Sequence, residues 1–368
     1  MFRKAVRRAS YVVRVLRTGF RRATHDARRS SILSGALCVA LVGCSRDHRT
    51  PLVIYSPHGR DLLTLFETRF EAAHPDVDVR WLDMGSQDVY DRVRSERANP
   101  QADVWFGGPS LILAPAARDS LLDCHRPNWA DAIAPRGRGE GDCYFAAYET
   151  PVVFLYAERV VSAAEAPQDW DDLLDPKWKG KLIIRDPLAS GTMRAVYGLI
   201  RERGPKARGD TAAGFAWLRR LDGQTKAYEH NPALISEKVA RQEALVTVWD
   251  LPDVLISRRR GMPVGYLFPK GGTVVIEDGI AVVRGAKHLA AARAFVDFAG
   301  SVEMQLAAAR EVYRLPARLD LPADSLPDWV RDVRQRMIVE DVDWNLLAAR
   351  GSEWMRWWDQ HVRGTGSR

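Results

Sequence analysis

The sequence is poor in the groups that most hydrolytic and metal enzymes need clustered. It has four cysteines and eight histidines in 368 residues. No Cys-x-x-Cys, His-Glu-x-x-His or Gly-x-Ser-x-Gly occurs, so neither a zinc nor a serine hydrolase is indicated. A Gly-Lys-Ser/Thr ending is also missing, which removes a P-loop nucleotidase. No apolar run reaches the ~20 residues of a membrane span. The stretch at residues 32–43 (ILSGALCVALVG) has only twelve. No two tyrosines are adjacent, and no internal repeat or low-complexity segment is present. A His58-plus-Asp acid–base pair is formally available, yet nothing selects it. The chain reads as a non-enzyme without a cofactor or resident metal.

The net charge of +7 suggests a nucleic-acid partner until it is located. Residues 1–31 hold ten Lys/Arg and one acid, Asp26, which leaves 44 bases against 46 acids in the rest of the chain. The basic character belongs to the leader, and the body has no bulk electrostatic case for binding nucleic acid. The basic segment followed by the apolar residues 32–43 has the layout of a signal peptide. It ends in Leu41-Val42-Gly43-Cys44, which resembles the lipobox of bacterial lipoproteins. That resemblance implies removal of residues 1–43, a lipid on Cys44 and anchoring in the cell envelope.

Cys124 and Cys143 then remain in the exported body, in a loop-like stretch with Pro127, Gly137, Gly139 and Gly141. In an oxidising compartment a disulfide between them is the default, with two free buried thiols as the alternative. One nearby histidine, His125, does not make a zinc site.

The body alternates between strand and helix signals. Residues 52–55 (LVIY) form an apolar strand, and Leu62, Leu63, Leu65, Phe66 and Phe70 follow at helical spacing. VDVRWLDM reads as a strand, DVYDRVRSERAN as a helix and ADVWFGG as a third strand. Further strands are expected at residues 143–157, LIIR, ALVTVWD, PVGYLFP and GIAVV. This order predicts an α/β fold with parallel strands and no long linker.

Residues 169–192 (DWDDLLDPKWKGKLIIRDPLASGT) resemble the D-L-x-D-P-x-W-K-G-K segment of bacterial extracellular solute-binding proteins. LVIYSPHG, ADVWFGGPS and GIAVVRGAKHLAAARAFVDFA resemble the same family in the same order. The branch is that of ferric-iron, thiamine and sugar-phosphate receptors. The resemblance covers roughly residues 50–315. It implies a type II periplasmic-binding fold, two α/β lobes around a ligand cleft. Lobe 1 would hold residues 51–150 and 279–368 with the C-terminal helices, and lobe 2 residues 151–278. The implied partners are a small solute and the permease and ATPase of an importer, with the receptor monomeric.

The cleft position implied by that family selects the candidate site residues. Ser190, Gly191 and Thr192 follow a strand and open a helix, where free N–H groups and the helix dipole favour an anion. Arg194, one turn in, would add a positive charge. The bland alternative is ordinary N-capping. Ser56, His58 and Gly59 repeat the device in the other lobe, and Gly108 and Ser110 follow the third strand. Glu149, Thr150 and Asp278 stand at the expected lobe crossings. Trp249 would stack on a sugar face, with Asp250 accepting from hydroxyls.

These residues point to a hydroxylated anion such as a sugar phosphate or an organic phosphate or carboxylate. If the acids line the pocket ionised, they repel an anion unless Arg194 or His58 offsets them. A neutral polyol or a cation such as thiamine is then the runner-up. Ferric iron ranks lower, because Trp249-Asp250 stands where ferric receptors carry adjacent tyrosines. A ligand sensor for a membrane signalling protein is the other alternative. Trp354, Trp357 and Trp358 share one helix face and are expected to pack a C-terminal helix against the body.

Overall fold

The computed structural model describes residues 48–208 and 212–365. The leader and Cys44 lie outside the described residues. The first layer contains β1 (Thr50–Ser56), α1 (Arg60–Ala73), β2 (Val77–Asp83), α2 (Ser86–Ser95), β3 (Val104–Phe106), α3 (Ser110–Arg118) and β4 (Leu122–Asp123). The long β5 (Phe145–Ala157) leads into a second layer of β6 (Leu182–Arg185), α4 (Gly191–Arg208), α5 (Ala213–Gln224), β7 (Thr225–Glu229), α6 (Ala233–Ala240), β8 (Val246–Asp250), α7 (Leu251–Arg259) and β9 (Val264–Leu267). The chain returns through β10 (Val275–Val283), α8 (Leu289–Ala299), α9 (Val302–Val312) and β11 (Leu315–Pro316). It closes with α10 (Asp328–Arg336) and α11 (Trp344–His361).

The strand order is β2-β1-β3-β10-β5-β8-β6-β7. β1 is parallel to β2 and β3, and β6 is parallel to β7 and β8. β5 is the strand common to both layers. Its first half pairs with β10, with Val275 opposite Pro151. Its second half pairs with β8 and β9, with Val152 opposite Asp250. Thirteen residues give it the reach to serve both. It is buried along nearly its whole length, Glu149 excepted.

α1 lays Leu62, Leu63, Phe66 and Phe70 on the first sheet, where Phe66 and Phe70 meet Phe295 of α8. Spacing of 3 and 4 puts those side chains on one face. In the second layer Val153, Leu155, Trp249 and Val254 form a core with Val330 and Val333 of α10. The C-terminal α11 packs on both α3 and α4, so it touches both layers. Trp358 is fully buried, edge-on to Tyr197 and Tyr228. Trp354 is also buried, while Trp357 is partly exposed against Phe215. The expected docking helix is therefore what the aromatic face builds. A disulfide joins Cys124 and Cys143.

Candidate functional site

Carboxyl ends of strands from both layers bring one polar cluster together. The end of β1 supplies Ser56 and His58, β2 supplies Asp83, and the β8–α7 junction supplies Asp250 and Asp253. The common strands supply Tyr148 and Thr150 from β5 and Asp278 from β10.

Asp278 is the best-held acid. A register shift in β10 falls between Asp278 and Gly279, where the pairing with β5 is offset. The carboxylate accepts from the Gly108 N–H at 3.0 Å and from the Thr150 hydroxyl. Gly107 and Gly108 both have φ +108°. That conformation favours glycine, and a Cβ on Gly107 would lie 2.1 Å from the His58 ring. The pair of glycines therefore serves turn geometry and also presents one amide to Asp278. Burial pushes Asp278 up to about 6, against the opposing hydrogen bond from Thr150 and the field of Arg314.

His58 lies with its Nε2 3.5 Å from Asp278 Oδ1. Burial, aided by the Arg314 charge, lowers it well below the usual histidine range, so the ring is neutral at pH 7. Nε2 has no hydrogen-bond partner among the described residues. The His58 ring stands edge-on to Tyr148, 5.1 Å between centroids. The Tyr148 hydroxyl is buried and equally without a partner, and burial raises it well above the usual phenol range. Ser56 does not face a ligand. Its hydroxyl donates to Phe106 O and accepts from the His58 N–H, so it sets the loop that aims the histidine.

Asp250 and Asp253 begin α7. Burial raises Asp250 well above the carboxylate range, and Asp253 and Asp278 push the same way. Its Oδ1 has no partner, and its Oδ2 lies 3.4 Å from the Thr192 hydroxyl. Asp253 accepts from Trp249 Nε1 at 3.2 Å. Burial raises Asp253 too, while Arg314 opposes the shift. Asp83, at the surface end of β2, is pushed up to about 6, chiefly by desolvation and then by Asp253.

Arg314 is the cation that sequence reading missed. Tyr313 caps α9 in the left-handed region, φ 55°, and Arg314 follows. Its guanidinium is buried over the Tyr148 ring, 5.3 Å from the centroid, with Nη2 3.8 Å from Asp253 Oδ1. Its Nε has no hydrogen-bond partner among the described residues. A second buried cation, Arg185 at the end of β6, bonds Glu229 O and feels the charges of Asp186, Asp88, Glu229 and Asp250. Arg185 lies within the family-like segment 169–192 but was not singled out there, and Arg314 belongs to no recognisable motif. Arg314 is reached only because a helix cap delivers it.

Several candidates take other roles. Arg194 donates to Pro187 O at 3.2 Å and Leu188 O at 2.7 Å, so it braces the loop before α4 and does not offer its charge to the cluster. Ser190 caps α4 by accepting from the Met193 N–H. Gly191 does bring backbone close to something, but that is Pro109, whose Cδ lies 2.6 Å from where a Cβ would sit. This contact joins the start of α4 to the start of α3 across the layers. Gln87 N–H to Ala189 O and a two-oxygen contact of Arg260 with Asp61 close the same gap elsewhere. Gly59 is exposed and a Cβ there meets nothing. Ser110 is half-buried at the start of α3.

Glu149 is turned away from the cluster. It pairs with Arg136, as does Glu277 opposite it on β10. Neighbours on a strand face opposite sides, so Tyr148 and Thr150 exclude Glu149. Trp249 is 3% exposed and packed in the second-layer core, which leaves no face for a sugar. Two open surface depressions, about 440 and 650 Å³, lie on α2 and between α1 and α9 beside Arg259 of α7, and contain none of the clustered residues. Among the described residues no three His, Cys, Asp or Glu are placed to hold a metal ion.

The arrangement therefore collects buried donors and acceptors that have no partner among the described residues. It offers no nucleophile with an adjacent base. A family model described as bacterial extracellular solute-binding protein matches residues 68–334. A probable ABC transporter periplasmic-binding protein of Sinorhizobium fredii is 26% identical over 323 residues, 85% of this chain and 86% of that one. A putative 2-aminoethylphosphonate-binding periplasmic protein of Salmonella typhimurium is 28% identical over 256 residues, 67% of this chain and 72% of that one. Among solved structures, the periplasmic binding protein AfuA of Actinobacillus pleuropneumoniae, with exogenous fructose-6-phosphate bound, superposes with a TM-score of 0.74 at 25% identity. That match covers 86% of this chain and 99% of AfuA.

Proposed function

The chain belongs to the bacterial extracellular solute-binding proteins, and on that premise we propose that it is the receptor of an ATP-driven importer for a small polar organic solute. Its fold is the two-lobe, type II periplasmic-binding fold, and its relatives are binding proteins rather than enzymes. It acts outside the cytoplasmic membrane. The solute carries a phosphate, phosphonate or carboxylate together with hydroxyl or amino groups, and reaches a membrane permease from the closed cleft. Lobe 1 comprises residues 51–150 with the return from 279, and lobe 2 residues 151–278, with rotation absorbed near Thr150 and Asp278.

One observation carries this reading. Four buried polar atoms, His58 Nε2, Tyr148 Oη, Asp250 Oδ1 and Arg314 Nε, lack partners among the described residues and share the same electrostatic neighbourhood. Each unmet group costs roughly 1–3 kcal/mol, so a ligand that satisfies them is bound strongly. Arg314 suits the acidic end of such a solute, and the carboxylates its hydroxyl or amino end. Relatives named for 2-aminoethylphosphonate and a neighbour holding fructose-6-phosphate fit that chemistry. Ferric iron fits less well, since Tyr148 is the only tyrosine in the cluster and Trp249-Asp250 replaces a tyrosine pair. Thermal unfolding with a panel of sugar phosphates, phosphonates and carboxylates should show at least one compound raising the midpoint by several degrees. Arg314→Met should remove that rise. A panel without effect, on protein freed of co-purified solute by unfolding and refolding, counts against the reading.

The anchor belongs to the same proposal. Residues 1–43 act as a lipoprotein signal peptide and Cys44 carries the lipid, tethering a monomeric receptor to the envelope. Cys44→Ala should move the protein from the detergent phase to the aqueous phase on Triton X-114 partitioning. A mutant that still partitions into detergent removes the anchor.

A further inference from the structure

We propose that the solute bears a protonated amine, and that Asp250, with His58 and Tyr148 beside the neighbouring Asp278, is its receptor; this rests on the receptor reading above. The argument begins with the balance of charge. Asp253 acts on Asp83, Asp250 and Asp278, Asp278 acts on Asp250 as well, and Arg314 opposes Asp250, Asp253 and Asp278 alike. Arg185 acts on Asp250 from the other side, but donates to Glu229 O and also faces Asp186 and Asp88. Arg194 is spent on the loop carbonyls of Pro187 and Leu188. His58 is neutral. Arg194 and His58 thus do not offset the acids, Arg314 is left to oppose three of them, and an anion by itself would add to their repulsion.

Of the unmet groups one is a carboxylate oxygen and two more are able to accept, which a cationic donor can satisfy together. Asp250 Oδ1 is an acceptor without a donor. His58, 9% exposed, and Tyr148, 1% exposed, each present a buried polar atom that can accept. Both lie beside Asp278: His58 Nε2 is 3.5 Å from its Oδ1, and Tyr148 is its cross-strand partner. Three acceptors suit an ammonium, which has three N–H donors and one positive charge. The positive end of the α4 dipole is already faced by Asp250 through Thr192. A ligand cation there is attracted to that carboxylate, and its acidic end is left to Arg314. In the free protein the raised acids take up protons instead. An amine displaces those protons, so its binding should strengthen as pH rises from 5 to 7.5.

The test separates the amine from the anion. Methylammonium, at tens of millimolar and pH 7.5, should raise the thermal midpoint above equal tetramethylammonium or sodium by about 2 °C. Asp250→Asn should remove that difference. In calorimetry, 2-aminoethylphosphonate should bind about tenfold more tightly than ethylphosphonate, a step of ~1.4 kcal/mol. Equal effects of methylammonium and tetramethylammonium would overturn the inference. Ethylphosphonate binding as well as its amine would do the same, while leaving the receptor reading intact.

Discussion

Replacing Trp358 with alanine lowers the free energy of unfolding by about 3–5 kcal/mol, the range for a large aromatic removed from a packed core. The side chain is fully buried. It stands edge-on to Tyr197 of α4 at 5.3 Å and to Tyr228 of β7 at 5.2 Å. Arg363 lies over its ring and reaches Asp186 with the same guanidinium. Truncation therefore opens a cavity and also loosens the strap that α11 lays over α3 and α4. One feature lowers the loss. Trp358 Nε1 is buried without a partner among the described residues, so alanine also removes an unmet donor. Trp358→Phe keeps most of the ring area and drops that donor, and should cost under ~1.5 kcal/mol. Urea titrations followed by circular dichroism read both numbers. A loss below about 1 kcal/mol for alanine would mean that α11 is not a structural strap.

The ligand-free protein should lose stability as pH rises from 4 to 7, and Asp278→Asn should remove much of that slope. Burial raises Asp278 from an ordinary 3.8 to about 6 in the folded chain. Between those values the folded protein holds a proton that the unfolded chain releases. Stability supplied by this group is whole below the unfolded value and is lost as pH rises through the folded one. A shift of two units corresponds to about 3 kcal/mol, and Asp250 and Asp253 shift in the same direction. Asparagine retains an acceptor for the Gly108 N–H but does not titrate. Urea midpoints of both proteins at pH 4.5, 6 and 7.5 test this. A constant gap between wild type and Asp278→Asn across that range would show that Asp278 does not titrate as its burial requires. An amine ligand should reverse the trend, because it replaces the proton with a charge that remains.

The strands and helices were legible because their signals are local. The apolar run at 52–55, the spacing of Leu62, Phe66 and Phe70, and LIIR before Gly191 each depend on a few adjacent residues and their period. Family membership was legible for a related reason: the DPKWKGK segment and its companions are contiguous, and the family model covers residues 68–334. The charge argument also needed only counting, since it assigned the basic excess to residues 1–31.

The site was legible only in part. His58, Thr150, Asp250 and Asp278 were identified because they end strands at turns or crossings, and the structure brings them together. Glu149 is one residue from Thr150, yet strand alternation turns it to Arg136. Trp249 looked like a stacking platform, but the helices on the second sheet bury it. Arg194 was expected to add a positive charge to the site, but its guanidinium bonds the carbonyls of Pro187 and Leu188. Such outcomes depend on which face of an element is covered and which carbonyls lie within reach. Arg314 marks the boundary most sharply. It stands beyond every motif, 36 residues after Asp278 in the chain, and reaches the acids because α9 and its left-handed cap return it there. Local periodicity determined the elements and the family. Only the tertiary structure decided the sign and number of charges in the candidate site, because those charges come from segments far apart in the chain.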